Sequence, residues 1–107
     1  MSGFDERQKS EERKFAHDAE MRFKITARRD KLLGLWVAQT LLGKSDDDAE
    51  SFAREVVKAN FEKPGDDDVV EFVLNSVSGT DADLSEHRLR HKMDELMREA
   101  EEQISAD

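Results

Sequence analysis

The sequence predicts an all-α fold: a small four-helix bundle with a flexible N-terminal arm. Charged residues make up 40% of the 107 positions and aromatic residues only 7%, a composition typical of helical proteins. Apolar residues recur at intervals of three and four along most of the chain, which is the spacing of one helix face. Glycine, proline and acidic boundary signals divide the chain into four such segments. The predicted helices cover about residues 20–43, 47–62, 67–78 and 84–104.

Composition excludes several kinds of function. The chain has no cysteine, so disulfides and thiolate metal sites are absent. Its net charge is −9, and nine of its 17 basic residues lie within the first 31 positions. The acidic remainder lacks the clustered cations that phosphate contacts require, so we expect no nucleic acid partner. No apolar run approaches the roughly 18 residues of a membrane span, so we expect a cytoplasmic protein with no direct membrane insertion.

The arm is predicted to occupy residues 1–19, before a bundle of residues 20–107. Between Met1 and Phe15 the only sizeable apolar side chain is Phe4. One such side chain does not offset an ordering cost of about 1–2 kcal/mol per residue, so the free arm should be disordered or frayed. Spacing alone leaves two interpretations open: a segment that becomes helical on binding, or an ordinary solvated terminus.

The first predicted helix should form the spine of the bundle. The aromatic residues Phe15, Phe23 and Trp36 are expected in a buried core rather than on an exposed docking face. Gly43 suits a left-handed C-cap that ends the helix. The core-facing side of this helix is predicted to comprise Met21, Ile25, Leu32, Leu33, Trp36, Val37 and Leu41.

Acidic residues mark the starts of the other three helices. Asp47, with Glu50 three residues later, has the spacing of an N-cap and its capping-box partner. Asp83 and Glu86 repeat that spacing before the last helix. Between them, the acidic run 66–68 would complement the dipole at the start of the third helix.

The sequence contains residues that resemble metal sites, but each group lacks some of the ligands that such a site requires. The acidic runs 46–48 and 66–68 have ligand types that suit calcium, but an EF-hand loop begun at either lacks the required Gly and Glu. His87 and His91 have a spacing that can hold zinc, yet no third ligand matches them. There is also no glycine-rich phosphate loop and no nucleophile with a recognisable base. We therefore expect no metal, no cofactor and no enzymatic activity.

Three strings resemble a known family. They are FAHDAEMRFKITARRDKLLGLW, AREVVKANFEKPGDDDV and KMDELMREAE, together with the Phe4-Asp5 pair. With these strings the chain resembles, over nearly its whole length, the zeta-type ATPase inhibitor subunit of alphaproteobacterial rotary ATP synthases. The resemblance implies a four-helix bundle whose mobile N-terminal arm is the inhibitory part.

The resemblance also implies a mechanism and partners. The arm would become helical as it wedges into a catalytic α/β interface against the γ rotor, so the partners would be the alpha, beta and gamma subunits. The protein would be a monomer when free and peripheral to the inner membrane when bound. The arm residues implied to contact the partner are Phe4, Asp5, Arg7, Lys9, Glu11, Arg13, Lys14 and Phe15.

Two other functions remain open at this point. The chain could be a nucleotide-responsive regulatory bundle, in which a basic run on the first helix receives phosphates. It could also be a structural subunit that binds the same complex without slowing it. The candidate nucleotide contacts are Lys24, Arg28, Arg29 and Lys31.

Overall fold

A computed structural model describes the backbone of residues 2–62 and 65–106, and the side chains of residues 19–61 and 65–105. The described residues form helices, turns and short connections, with no strand among them. The four α-helices that the sequence predicts are present, so the all-α fold class is confirmed. Within the described residues, no helix combines the length and apolarity needed to cross a bilayer. The helices are α1 (Ser2–Trp36), α2 (Asp46–Glu62), α3 (Asp67–Val77) and α4 (Glu86–Ala106).

Helix α1 joins the predicted arm and the predicted spine in one element. It begins at Ser2 rather than near residue 20, and its 35 residues span about 52 Å at 1.5 Å per residue. The molecule accordingly measures 67 × 25 × 21 Å. Its radius of gyration is 17.4 Å, whereas a compact chain of this length would have about 13 Å. The protein is therefore elongated, with α1 as its long axis.

The hydrophobic core is built by all four helices. Leu33 of α1, Val56 of α2, Val73 of α3 and Leu89 of α4 are each fully buried. Of the predicted core-facing side of α1, Leu33 and, in the turn that follows, Val37 are fully buried. The other predicted members of that face are only partly buried, because the helix presents a slightly different side to the bundle than the wheel suggested. They are Met21, Ile25, Leu32, Trp36 and Leu41.

Helix α1 does not end regularly. It continues into one π-helical turn, Val37–Leu41, in which the Leu42 amide donates to the Val37 carbonyl at 3.0 Å. Gly43 then has a φ of 63°, a left-handed conformation that glycine adopts without steric cost. The predicted glycine C-cap is therefore confirmed, although an extra residue in the preceding turn was not predicted.

The N-caps of α2 and α4 differ from the predicted ones. The Arg88 amide donates to the hydroxyl of Ser85 at 3.1 Å, so Ser85 caps α4 and the prediction of Asp83 is wrong. Ser45 occupies the equivalent position before α2, whereas the predicted cap, Asp47, lies inside the helix. A serine stood next to each helix start, and serine is as good an N-cap as aspartate, so the capping-box spacing selected the wrong residue in both cases.

Candidate functional site

A buried polar network joins α1 to α2 and to the residue before α3. Its members are Arg29, Asp30, Asn60 and Asp66, and the first two are 1% and 0% exposed. The Arg29 guanidinium donates to both Asp66 oxygens, at 2.7 and 3.3 Å, and to Asp30 Oδ1 at 2.9 Å. Asn60 Nδ2 donates to the other Asp30 oxygen at 2.6 Å. The network thus ties α1 to α2 and to the residue before α3.

Burial and pairing act in opposite directions on the two carboxylates. Burial raises the pKa of Asp30, and the neighbouring Arg29 and Asn60 offset only part of this effect. The hydrogen bonds from Arg29 lower the pKa of Asp66, which is partly open to solvent. Asp66 therefore stabilises the fold at pH values above its usual pKa of about 3.9. This contribution is lost as the pH falls through the lowered pKa of the folded protein. Asp30 contributes a pH dependence of stability with the opposite sign. Because its pKa is raised in the folded protein, folding becomes more favourable as the pH falls through that raised pKa.

Arginine 29 itself remains charged throughout. Burial alone would lower its pKa, but the carboxylates of Asp66 and Asp30 outweigh that effect and raise the pKa above its usual value. Within the described side chains, no buried nitrogen or oxygen lacks a hydrogen-bond partner. A charge buried in this way is tolerated because it is paired and fully hydrogen-bonded.

The four predicted nucleotide contacts do not share one surface. Arg29 is buried and held by carboxylates, so a phosphate cannot reach its guanidinium. Arg28, one position earlier, is partly buried and donates to Gln103 at 2.8 Å. Lys24 is 54% exposed and pairs with Glu20 at 3.5 Å, and Lys31 is exposed. The basic run of the sequence therefore divides into one core residue, Arg29, and three residues, Lys24, Arg28 and Lys31, whose spacing places them on one side of α1.

An aromatic groove lies beside the network, at the junction between the arm and the bundle. Phe23 of α1 and Phe61 of α2 are 56% and 55% exposed, and their ring centroids are 5.0 Å apart. The prediction that Phe23 is buried is therefore wrong. Its partner Phe61 is near the end of α2, and both rings remain more than half exposed in the described part of the structure. The groove has a volume of about 230 Å³ and is lined by Arg22, Phe23, Thr26, Ala27, Asp30, Asn60 and Phe61.

The candidate metal ligands are spread over the surface. His87 and His91 are both exposed on α4. Among the residues whose side chains are described, no group of three or more His, Cys, Asp or Glu is arranged to hold a metal ion. Asp67, in the second acidic run, instead pairs with Arg90 of α4 at 2.9 Å.

Comparison with known proteins gives the family. The family model described as ATPase inhibitor subunit zeta matches residues 1–103, nearly the whole chain. The chain belongs to the zeta family of ATPase inhibitor subunits. The resemblance found in the sequence is thus confirmed, and the family name indicates a regulatory rather than a catalytic protein, associated with the ATP synthase. A search of curated proteins found no match.

A solved structure supports the fold of this zeta-family chain. It is titled only as the solution NMR structure of the protein, and it is 46% identical in sequence. The superposition has a TM-score of 0.71 and covers 80% of this chain and 96% of the other. The bundle described above is therefore shared with a relative of known structure.

The inhibitory residues implied by the family resemblance all lie in the N-terminal part of α1. Their backbone is helical, but their side chains lie outside the described part of the structure. Their contacts with a partner therefore stay a prediction. These residues are Phe4, Asp5, Arg7, Lys9, Glu11, Arg13, Lys14 and Phe15.

Proposed function

We propose that this zeta-family protein inhibits ATP hydrolysis by the rotary ATP synthase, and that the N-terminal part of α1 does so by entering a catalytic α/β interface against the γ rotor. The observation that supports this mechanism most directly is the continuity of α1. A single helix runs from Ser2 to Trp36, and those of its described side chains that belong to the core lie in its C-terminal part. One end is therefore anchored, and the other has the form of a helical wedge.

The buried contacts near the C-terminal end of α1 fix the direction of the whole helix. Leu33 and Val37 are fully buried in the core, and Arg29 ties the same segment to Asp66. Residues 2–19, farther toward the N-terminus, account for about 27 Å of the helix. A bundle held against the outside of the enzyme would thus keep the arm at a high effective concentration near its site.

The chemistry of the arm suits a protein interface. Phe4 and Phe15 are eleven positions apart, close to three turns, so the two positions fall on one side of a continuous helix. Large aromatic side chains carry much of the binding energy in protein interfaces. The charged residues between them would pair with charges across the interface and fix the register of the helix.

The central test is removal of the arm. We expect the full chain to inhibit ATP hydrolysis by the detached catalytic sector, and a form lacking residues 1–19 to lose inhibition while keeping its thermal unfolding midpoint. The hydrolysis rate and circular dichroism measure the two properties. Equal inhibition by both forms would refute the arm mechanism, and binding without inhibition by the full chain would make the protein a structural subunit.

A point variant in the intact arm provides a second measurement. Phe4→Ala removes one of the two aromatic anchors, and we expect it to raise the concentration for half-maximal inhibition about tenfold, equivalent to about 1.4 kcal/mol. Ser10→Ala is the control, because it removes none of the predicted contacts, and the higher helix propensity of alanine should not weaken inhibition.

A further inference from the structure

We infer that the aromatic groove formed by Phe23 and Phe61 is a second docking surface for the same ATPase, and that it receives an apolar surface patch with acidic side chains on a catalytic subunit. This inference rests on the proposed function, since it names where the bundle touches the enzyme that the arm enters. It extends the contact from α1 onto α2, which carries none of the predicted inhibitory residues.

The exposure of the two rings points to a partner. Among the described residues, Phe23 and Phe61 are the large hydrophobic side chains that remain more than half exposed. One comes from each of two tightly packed helices, and their centroids are 5.0 Å apart. Because α1 and α2 hold the rings in place, a partner would cover them at little cost in side-chain entropy. Preorganised aromatic pairs of this kind are frequent anchors of protein interfaces.

The position of the groove selects the ATPase as that partner. Phe23 follows Phe15 by eight residues on the same helix, a distance of about 12 Å along the axis. An enzyme that encloses the arm as far as Phe15 therefore has its outer surface next to the groove. A contact there is continuous with the proposed arm interface and needs no change in the direction of α1.

The charges around the groove define the chemistry of the surface it would meet. Arg22 lines the groove and is exposed. Asp30, the carboxylate in its lining, is fully buried and already bonded to Arg29 and Asn60. Among the described lining residues, the accessible charge is thus positive, and it complements an acidic rather than a basic partner surface.

A second copy of this chain fits less well. In a symmetric dimer the same patch would face itself across the two-fold axis, so Arg22 of each copy would approach the other around the aromatic centre. Like charges facing each other in this way oppose association. We therefore assign the groove to the ATPase, and self-association is an outcome that the experiment must distinguish.

The test uses the full chain carrying Phe61→Ala and the isolated catalytic sector of the ATP synthase. We expect the dissociation constant, measured by biolayer interferometry, to rise about tenfold, mainly through faster dissociation. Phe61→Leu should retain most of the affinity because it keeps an apolar side chain. His91→Ala, an exposed ring on α4, is the matched control and should bind like the wild type. Thermal unfolding of each variant verifies the fold.

The outcomes separate this inference from the proposed function. If Phe61→Ala binds the catalytic sector as tightly as the wild type does, the groove is not a docking surface, and the arm mechanism is unaffected. Weaker self-association of Phe61→Ala in analytical ultracentrifugation, with unchanged binding to the enzyme, would assign the groove to a second copy and also overturn the inference. If the wild type binds without inhibiting and Phe61→Ala binds more weakly, the groove is supported and the arm mechanism fails. No binding by the wild type would overturn both.

Discussion

At the scale of single residues, neighbours in the sequence have different surroundings in the fold. Arg28 and Arg29 are adjacent and chemically identical, yet one contacts Gln103 near the surface and the other is buried against two carboxylates. The sequence grouped them in one basic run because it shows charge but not which carboxylates the other helices bring near. Asp66 is the clearest case. Its place before α3 predicts a role at the helix dipole, but in the structure its carboxylate oxygens accept hydrogen bonds from Arg29.

The buried network makes a stability prediction. Arg29→Met leaves the Asp30 carboxylate fully buried with only Asn60 as a partner, and we expect this to cost about 3–5 kcal/mol of unfolding free energy. The double variant Arg29→Met with Asp30→Asn removes both charges and should recover part of that loss. Urea unfolding followed by circular dichroism measures each value.

Arg28→Met is the matched control for this prediction. It removes a side chain of the same type whose Gln103 hydrogen bond lies only partly buried, so we expect a loss of about 1 kcal/mol. If Arg29→Met were no more destabilising than Arg28→Met, the network would not be the anchor of α1.

At the scale of elements, the packing of α1 on α2 depends on a glycine. A Cβ atom on Gly34 would lie 2.5 Å from the Cα atom of Ala53, so the two helices approach at this point as closely as their backbones allow. The sequence shows a glycine within a helical pattern, which is ordinarily unfavourable by about 1 kcal/mol relative to alanine. Only the crossing of the two helices explains why a side chain is excluded there.

Gly34→Ala is therefore expected to destabilise the protein by about 1–3 kcal/mol, because the helices must separate to admit the methyl group. This outcome opposes the gain in helix propensity that the same substitution would give on an exposed surface. Chemical denaturation measures the change, and amide NMR shifts should move in α2 as well as in α1.

Gly43→Ala separates packing from backbone strain. Gly43 has a φ of 63° and no atom within 4 Å of an added Cβ, so its substitution should cost about 1–2 kcal/mol from the left-handed conformation alone. Its NMR changes should stay near residue 43. Shifts confined to α1 in Gly34→Ala, or an unchanged stability, would contradict the close-packing account.

At the scale of the whole molecule, the bundle and the arm have different sources of stability. The core residues of α1 pack mainly against α2 and α4, whereas the arm contains little apolar surface of its own. Isolated helical segments of such length are marginal in water. The predicted division at about residue 19 stays a prediction, and we expect it to be a difference in local stability along one continuous helix rather than a break in secondary structure.

Hydrogen exchange tests this division. In the free protein we expect amides before about residue 19 to exchange fast and those near Leu33 to be the most protected, because opening the arm exposes little apolar surface. Binding to the catalytic sector should slow exchange in the arm. Arm amides that are as well protected in the free protein as those of the core would contradict the prediction that the arm is mobile.

The sequence by itself determined the helical class, the number of helices and the glycine at the end of the π turn, because periodicity and backbone chirality are local properties. The three strings named above also indicated the family. The tertiary structure alone decided that Arg29 lies in the core, that Gly34 marks a helix crossing, and that Phe23 stays exposed beside Phe61. Each of these depends on which residue of a distant segment comes within a few ångströms, and helical periodicity contains no information about that pairing.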